Sequence, residues 1–471
     1  MAGPSIAGSK TTGPLVRFRA WLEETHSTGF ELRRHFFFRF FDSEFISTPG
    51  QGRIVAGGIF AILASLSIIY SQAYYHKYLV LNGQPDRTEY DLSVIDDVLL
   101  LITLSMFLIG LLTTVEWPSL FPGLRDYMAF ASLPIRTRDL FIAKFTTMIA
   151  VAVAFIVGLN LPPSIMLPMM MLGRYGGRSV LQIPGIFVSA SLAASFVFFS
   201  LVALQGVLLN VLPVREFSRV SLAVQGVLLA VFLCGLPMVF SIPSFHRTLQ
   251  MTLTLHPDWA LWTPPLWFLG VDQTISGIRE PLTNQLTERA LIAVGAAAIA
   301  AVVTYIWSYR WHKTRLLQAP ALERMSERSW PSHLAHLMIR DARELAVFAF
   351  VGTMLRRSRQ HRLILTTAAA LALAVIFETF VSLAFNRSFR GFSIQTPGLR
   401  QAAISVPLAL SLFILWGFRY LFRLPVELRA NWIFQINEPG NGVALLAGVK
   451  SFLLYCAVIP LVLLTLPIEI R

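Results

Sequence analysis

Hydrophobic residues in this chain come in long blocks, and polar residues are confined to the connections between them. Nine blocks are each about long enough to cross a bilayer, whose ~30 Å hydrocarbon core takes roughly 20 mostly apolar residues of helix. They are Ile54–Tyr74, Val98–Val115, Phe145–Leu161, Gly185–Leu212, Val220–Phe240, Ala290–Trp307, Leu363–Phe385, Ala402–Phe418 and Val449–Leu466. The pattern predicts an all-α, polytopic helical membrane protein with about nine transmembrane helices.

Two amphipathic stretches precede spans. Over His35–Ile46, drawn as a helix, Phe36, Phe37, Phe38, Phe40, Phe41 and Phe45 fill one broad arc, while His35, Arg39, Asp42 and Ser43 fill the other. That pattern suits a helix lying in the membrane interface. Over Glu344–Arg362, Val347, Phe348, Val351, Met354 and Leu355 form an apolar side ahead of a basic cluster. Interfacial helices are thus expected before spans 1 and 7. The predicted organisation has four parts: an N-terminal segment (1–53), a six-span half (54–308), a basic linker (309–343) and a second half of surface helix plus three spans (344–471). Recurrence of this kind is common in transporters built from two related halves.

Composition supports the membrane reading: 55% of the 471 residues are hydrophobic and 14% are charged. The net charge of +13 would suggest nucleic acid in a soluble protein. Here retention of Lys and Arg on the cytoplasmic side accounts for it more simply, and no nucleic-acid partner is expected. With the N-terminus cytoplasmic, inner segments hold 28 of the 39 basic residues. Arg outnumbers Lys by 34 to 5, as in GC-rich bacterial genomes. Both cysteines, Cys234 and Cys456, fall inside spans, so there is no disulfide framework to read.

The connection after the second span, Glu116–Lys144, carries the most chemistry. Pro118 and Pro122 break the exit from the span, a short amphipathic piece covers Arg125–Leu133, and Pro134 closes it before Arg136, Arg138 and Asp139. A compact charged helix between two spans suits docking of a cytoplasmic partner. This phrase, the interfacial helix, LPVREFSRVS (Leu212–Ser221) and the Trp/Pro-rich His256–Gly270 together resemble the permease subunits of bacterial ATP-binding-cassette exporters of the type-2 class. LPVELRANWIFQINEPG (Leu424–Gly440) resembles a diverged second copy of the loop.

The resemblance implies a bacterial plasma-membrane exporter subunit that is not itself an enzyme, with ATP hydrolysis in a separate ATPase subunit. It implies that Phe121–Arg138 is the coupling helix, with Arg125 and Asp126 as charged contacts. Phe121, Tyr127, Phe130 and Leu133 would then be its apolar anchor. The family uses two six-span halves. Three spans in the second half lead to the expectation that a second copy or a companion membrane subunit supplies the others.

No cofactor is expected. Gly440–Ser451 is the nearest approach to a phosphate-binding loop and lacks its Gly-Lys-Ser. His333 and His336, near Asp341, lack the further ligands that a zinc site needs, so no metal is expected. Glu378, inside the seventh span, is a candidate for the substrate path, since membrane carboxylates are functional candidates by default. Asn160, Gln205, Asn210 and Gln225 are expected to hydrogen-bond between helices, worth about 0.6 kcal/mol each.

The rival reading is a polytopic glycosyltransferase with a lipid-linked donor. In it Asp96 and Asp97, preceded by Glu89 and Asp91, would hold a divalent cation against a phosphate. The plainer role for the pair is two carboxylates in the first turn of a helix.

Orientation is open to a direct measurement. Single cysteines at Ser132, Ser326 and Ser276, in a background lacking Cys234 and Cys456, should differ toward an impermeant thiol reagent in intact cells. Position 276 should label, whereas 132 and 326 should be protected; the reverse pattern overturns the N-in orientation.

Overall fold

The computed structural model describes residues 27–41, 65, 74–83, 87–122, 126, 130, 135–240, 261–278, 280–323, 339–386, 397–422 and 443–463. Its main helices are α1 (Ser27–Phe41), α2 (Arg87–Val115), α3 (Thr137–Met170), α4 (Gln182–Val211), α5 (Val214–Phe240) and α6 (Pro264–Ile275). They continue as α7 (Pro281–Glu323), α8 (Ala342–Arg357), α9 (Arg359–Asn386), α10 (Pro397–Leu421) and α11 (Val443–Leu453), whose end runs into a π-helical turn, Leu454–Val458. No strand occurs among the described residues.

Seven helical segments are long and apolar enough to cross a membrane: Tyr90–Val115, Arg138–Met170, Ser179–Val211, Arg219–Leu236, Pro281–Tyr309, His361–Thr379 and Leu445–Leu463. The eighth expected span appears as a shorter apolar stretch, Val406–Leu421, within α10, where Pro407 removes one ladder hydrogen bond. The first, Ile54–Tyr74, lies outside the described residues apart from positions 65 and 74. The chain is a multi-pass helical protein.

Boundaries shifted where polar residues can continue a helix. α1 covers Ser27–Phe41, beginning before the expected His35, and buries Leu32 and Phe36. Phe37 stays exposed, and positions 42–46 lie outside the described residues. α7 continues through the start of the expected linker to Glu323, because Arg, Lys, Leu and Gln are good helix formers. Asp341, considered above beside the histidines, is the N-cap of α8 and accepts the Arg343 N–H at 2.9 Å.

The chain divides into two compact units: residues 1–70 with 118–162, and residues 71–117 with 163–471. In the first, α1 packs on the opening turns of α3, with Leu32, Phe36, Leu140 and Ala143 buried together and Phe130 and Ile135 against them.

In the second unit, α4 packs against α2, α6 and α7, and α5 packs against α2 and α9. Glycines set the closest approaches. A methyl added at Gly110 of α2 would collide with the Phe232 ring of α5, and one at Gly235 of α5 with the Phe107 ring of α2. The two rings meet edge to face, 5.8 Å between centroids. Gly226 of α5 meets Thr366 of α9 in the same way, beside buried Leu229, Leu363 and Ala370. Gly448 lets α11 lie on α8, where a methyl would sit 2.6 Å from Val347 Cβ and 2.7 Å from the Glu344 carbonyl. Ser451 of α11 also donates to the Glu344 carboxylate. The expected second amphipathic face is therefore satisfied largely by protein: Phe348, Val351 and Leu355 of α8 share a core with Phe418, Leu421 and Phe452.

Polar side chains inside spans serve the backbone. Gln225 Nε2 donates to the Thr114 carbonyl at 2.9 Å and Gln205 Nε2 to the Trp117 carbonyl at 2.8 Å. Asn210 Nδ2 reaches the Thr304 carbonyl at 3.0 Å. These are the interhelical bonds expected of them. Asn160, the fourth residue of that set, is buried in the first unit.

Gly235→Ala should cost about 1–3 kcal/mol through overpacking against Phe107. Gly295→Ala, whose methyl meets nothing within 4 Å, should be neutral or slightly stabilising. Denaturant titration of the purified protein in detergent separates the two.

Candidate functional site

The segment expected to couple to a partner lies in the first unit, where Phe121, Asp126 and Phe130 face inward. Position 126 is helical, as is 130, and residues four apart share one helix face. Asp126 is buried, with Lys144 Nζ of α3 at 3.9 Å. Lys144 in turn lies over the Phe36 ring of α1, 4.9 Å from its centroid. Phe130 packs edge-on to His35 at 5.3 Å and lies 6.0 Å from Phe36. Thr147 of α3 donates to the Arg33 carbonyl at 3.4 Å, closing the far side.

The loop is thus fastened to α3 by an ion pair and to α1 by aromatic packing, and a cation–π contact joins α1 to α3. Lys144 sits within α3, with only 11% of its side chain exposed. Asp126 and Phe121 are buried, so neither is presented as a surface contact. Arg136, Arg138 and Asp139 are exposed beside this assembly. Arg125, Tyr127 and Leu133 lie outside the described residues.

A second cluster gathers in the other unit around the start of α2. Asp97 is fully buried and accepts Lys77 Nζ on both oxygens, at 2.7 and 2.8 Å, and the Tyr78 hydroxyl at 2.7 Å. Lys77 also lies 5.2 Å from the Tyr74 ring centroid. About two turns before, Tyr90 packs edge-on to Tyr78 and Tyr175, and Arg174 stacks over it at 5.4 Å. Tyr175 donates to the Asp91 carboxylate; its burial, then that bond, raise the phenol's pKa. Because α2 begins at Arg87, Asp96 and Asp97 lie in its third turn, too far in for the helix-dipole role. An ammonium already occupies the place that the glycosyltransferase reading gave to a metal.

Glu378 is exposed on α9, next to exposed Phe377 and near Val375. Sequence reasoning missed the partners of Asp97, since no periodicity links Lys77 to a residue 20 positions away. It also missed Asp272, a buried acid in the middle of the apolar run Pro264–Ile275. A carboxylate framed by Leu269, Val271 and Ile275 is the signal that could have found it.

No protein family, characterised protein or solved structure matches the chain.

Removing one partner of a buried ion pair strands the other charge. Lys77→Met should destabilise the protein by about 3 kcal/mol, with much of that recovered in Lys77→Met/Asp97→Leu. Thermal unfolding in detergent checks both, and equal losses for the two variants would show that the pair does not act as a unit.

Proposed function

We propose that this protein is the membrane-spanning permease subunit of an ATP-driven exporter, coupled to a separate ATPase through the loop between α2 and α3. The observation that supports this reading best is the fastening of that loop within the first unit. Asp126 and Phe130 tie it to α3 and α1 through Lys144 and Phe36, so a push on the loop reaches α3 without first being absorbed in slack. A plain connector between spans has no need of a buried carboxylate or of a surface helix packed on it.

The roles within the segment divide accordingly. Asp126, Phe121 and Phe130 hold the loop's shape, and Arg125 and Tyr127, with exposed Arg136 and Arg138, meet the ATPase. The ion pair of Asp97 with Lys77 weighs against the rival glycosyltransferase, whose acidic pair would need free oxygens for a cation. Exposed Glu378 belongs to the same proposal. A carboxylate on an apolar span is costly toward lipid, so it faces a polar path or a further helix from a second copy or companion subunit.

Tyr127→Ala and Arg125→Glu should each weaken ATPase co-purification about tenfold, as loss of a central aromatic or Arg contact does. Both should abolish coupled ATP hydrolysis with an unchanged level in the membrane. Asp126→Asn should instead lower thermal stability. Normal coupling in the first two variants would leave the loop a connector. In mild detergent the assembly should run well above its 52.6 kDa chain mass.

A further inference from the structure

α6 is too short to cross a membrane and is wedged between α4 and α7 by two glycines. Gly270 of α6 abuts α7, where an added methyl would lie 2.6 Å from Leu286 Cβ and 3.1 Å from the Thr283 carbonyl. Gly185 of α4 abuts Asp272, where a methyl would lie 2.8 Å from Oδ1 and 3.4 Å from Ser276 Oγ. Around this wedge the hydroxyls are paired: Thr274 with Thr287 at 2.8 Å, and Thr283 donating to Gln273 Oε1 at 3.2 Å. Asp272 is the exception. It is only 9% exposed, and its Oδ1 has no hydrogen-bond partner among the described residues. Gln182 Oε1, one turn before Gly185 on α4, is another buried acceptor without a donor there.

A buried carboxylate with an unpaired oxygen is among the costliest states for that side chain, whereas the neutral acid loses much of the penalty. Among the described residues no cation lies beside it. α4 carries no charged residue, and Asp272 is the one charged residue of α6. On α7, Glu288 and Arg289 near its start are exposed, and Arg289 donates to the Leu261 carbonyl at 2.7 Å. Arg310, Lys313, Arg315 and Glu323 lie far along the same helix, about 1.5 Å per residue away. On α2, Arg87 and Glu89 lie in the first turn, Asp91 is taken by Tyr175 and Asp97 by Lys77, and Asp96 is a buried acid. Exposed Glu280 precedes α7.

We propose that Asp272 is a reversible proton-binding site whose occupancy seats α6 between α4 and α7. The proton neutralises the carboxyl against Gly185 and gives it a donor for the acceptors around it. Burial pushes this carboxyl up from 3.8 to about 7. An acid whose pKa is raised on folding binds its proton more tightly folded than unfolded. Its contribution is therefore complete below pH 3.8 and is lost as pH rises through about 7. Proton loss near neutrality would loosen α6 in a bundle that otherwise stays packed. The site is independent of the coupling loop and stands whether or not the exporter reading does.

The test is amide hydrogen exchange on the purified full chain in detergent, at about pH 5 and about pH 8.5, corrected for the intrinsic pH dependence of exchange. Protection of 264–275 should fall roughly tenfold or more at the higher pH, while that of α2 and α4 holds. Asp272→Asn, a neutral isostere, should remove the pH response. Equal protection at both values in the unmodified protein overturns the proposal, as does an undiminished response in Asp272→Asn. The comparison on the unmodified chain needs no variant, so poor folding of Asp272→Asn leaves that arm decisive.

Discussion

At the end of α2 the ladder of backbone hydrogen bonds runs out while the chain is still surrounded by apolar helices. The last four carbonyls of any helix have no partner of their own, and in a membrane interior water cannot supply one. Here Gln225 of α5 serves the Thr114 carbonyl, and Gln205 of α4 serves that of Trp117. The Trp117 indole, fully buried, donates to Ser221 Oγ of α5 at 2.9 Å. Three bonds from two helices thus converge on one helix end. They fix the rotation and depth of α4 and α5 about α2, and the glycine contacts can form only at that setting.

Those contacts show how an apolar bundle becomes specific. Between helices in lipid there is little hydrophobic gain to be made, so packing and interhelical bonds decide association. Gly110 and Gly235 each receive a phenylalanine from the other helix, and a ring seated in a glycine notch cannot slide by one turn. Gly226 repeats the arrangement between α5 and α9. Threonines in the same helices hide their hydroxyls in their own backbone, as Thr103, Thr113 and Thr114 do toward Leu99, Ile109 and Gly110.

Charged groups are treated differently in the first unit and around the start of α2. Among the described residues of the first unit a single carboxylate, Asp126, is buried, and it holds a loop. Around the start of α2 a lysine, an arginine, two aspartates and several tyrosines form a paired network that can stiffen the connection before that helix. Such networks add little net stability, because desolvation offsets most of the Coulomb gain. Asp272 stands apart from both, with neither a cation nor a hydrogen-bond donor beside its Oδ1 among the described residues. That is why a proton is the ligand its position favours.

The sequence by itself determined the helical class, the places of most spans and the amphipathic helix before the seventh. Each is a local property, set by unbroken apolar length or by a period of 3.6 residues, and neither depends on what the segment later touches. It also marked Gln205, Asn210 and Gln225 as bonding residues, since an amide in hydrocarbon must find a partner somewhere. Which partner was decided only in three dimensions: nothing in the order of residues joins Gln225 to Thr114, or Lys77 to Asp97. The inward turn of Asp126 and Phe121 was equally illegible, because a charged loop reads the same whether its charges meet solvent or each other. Helix ends shifted for the same reason. Segments such as 309–323 and 137–144 mix charged with apolar residues and form no unbroken apolar run, so only their neighbours settle whether the helix continues through them.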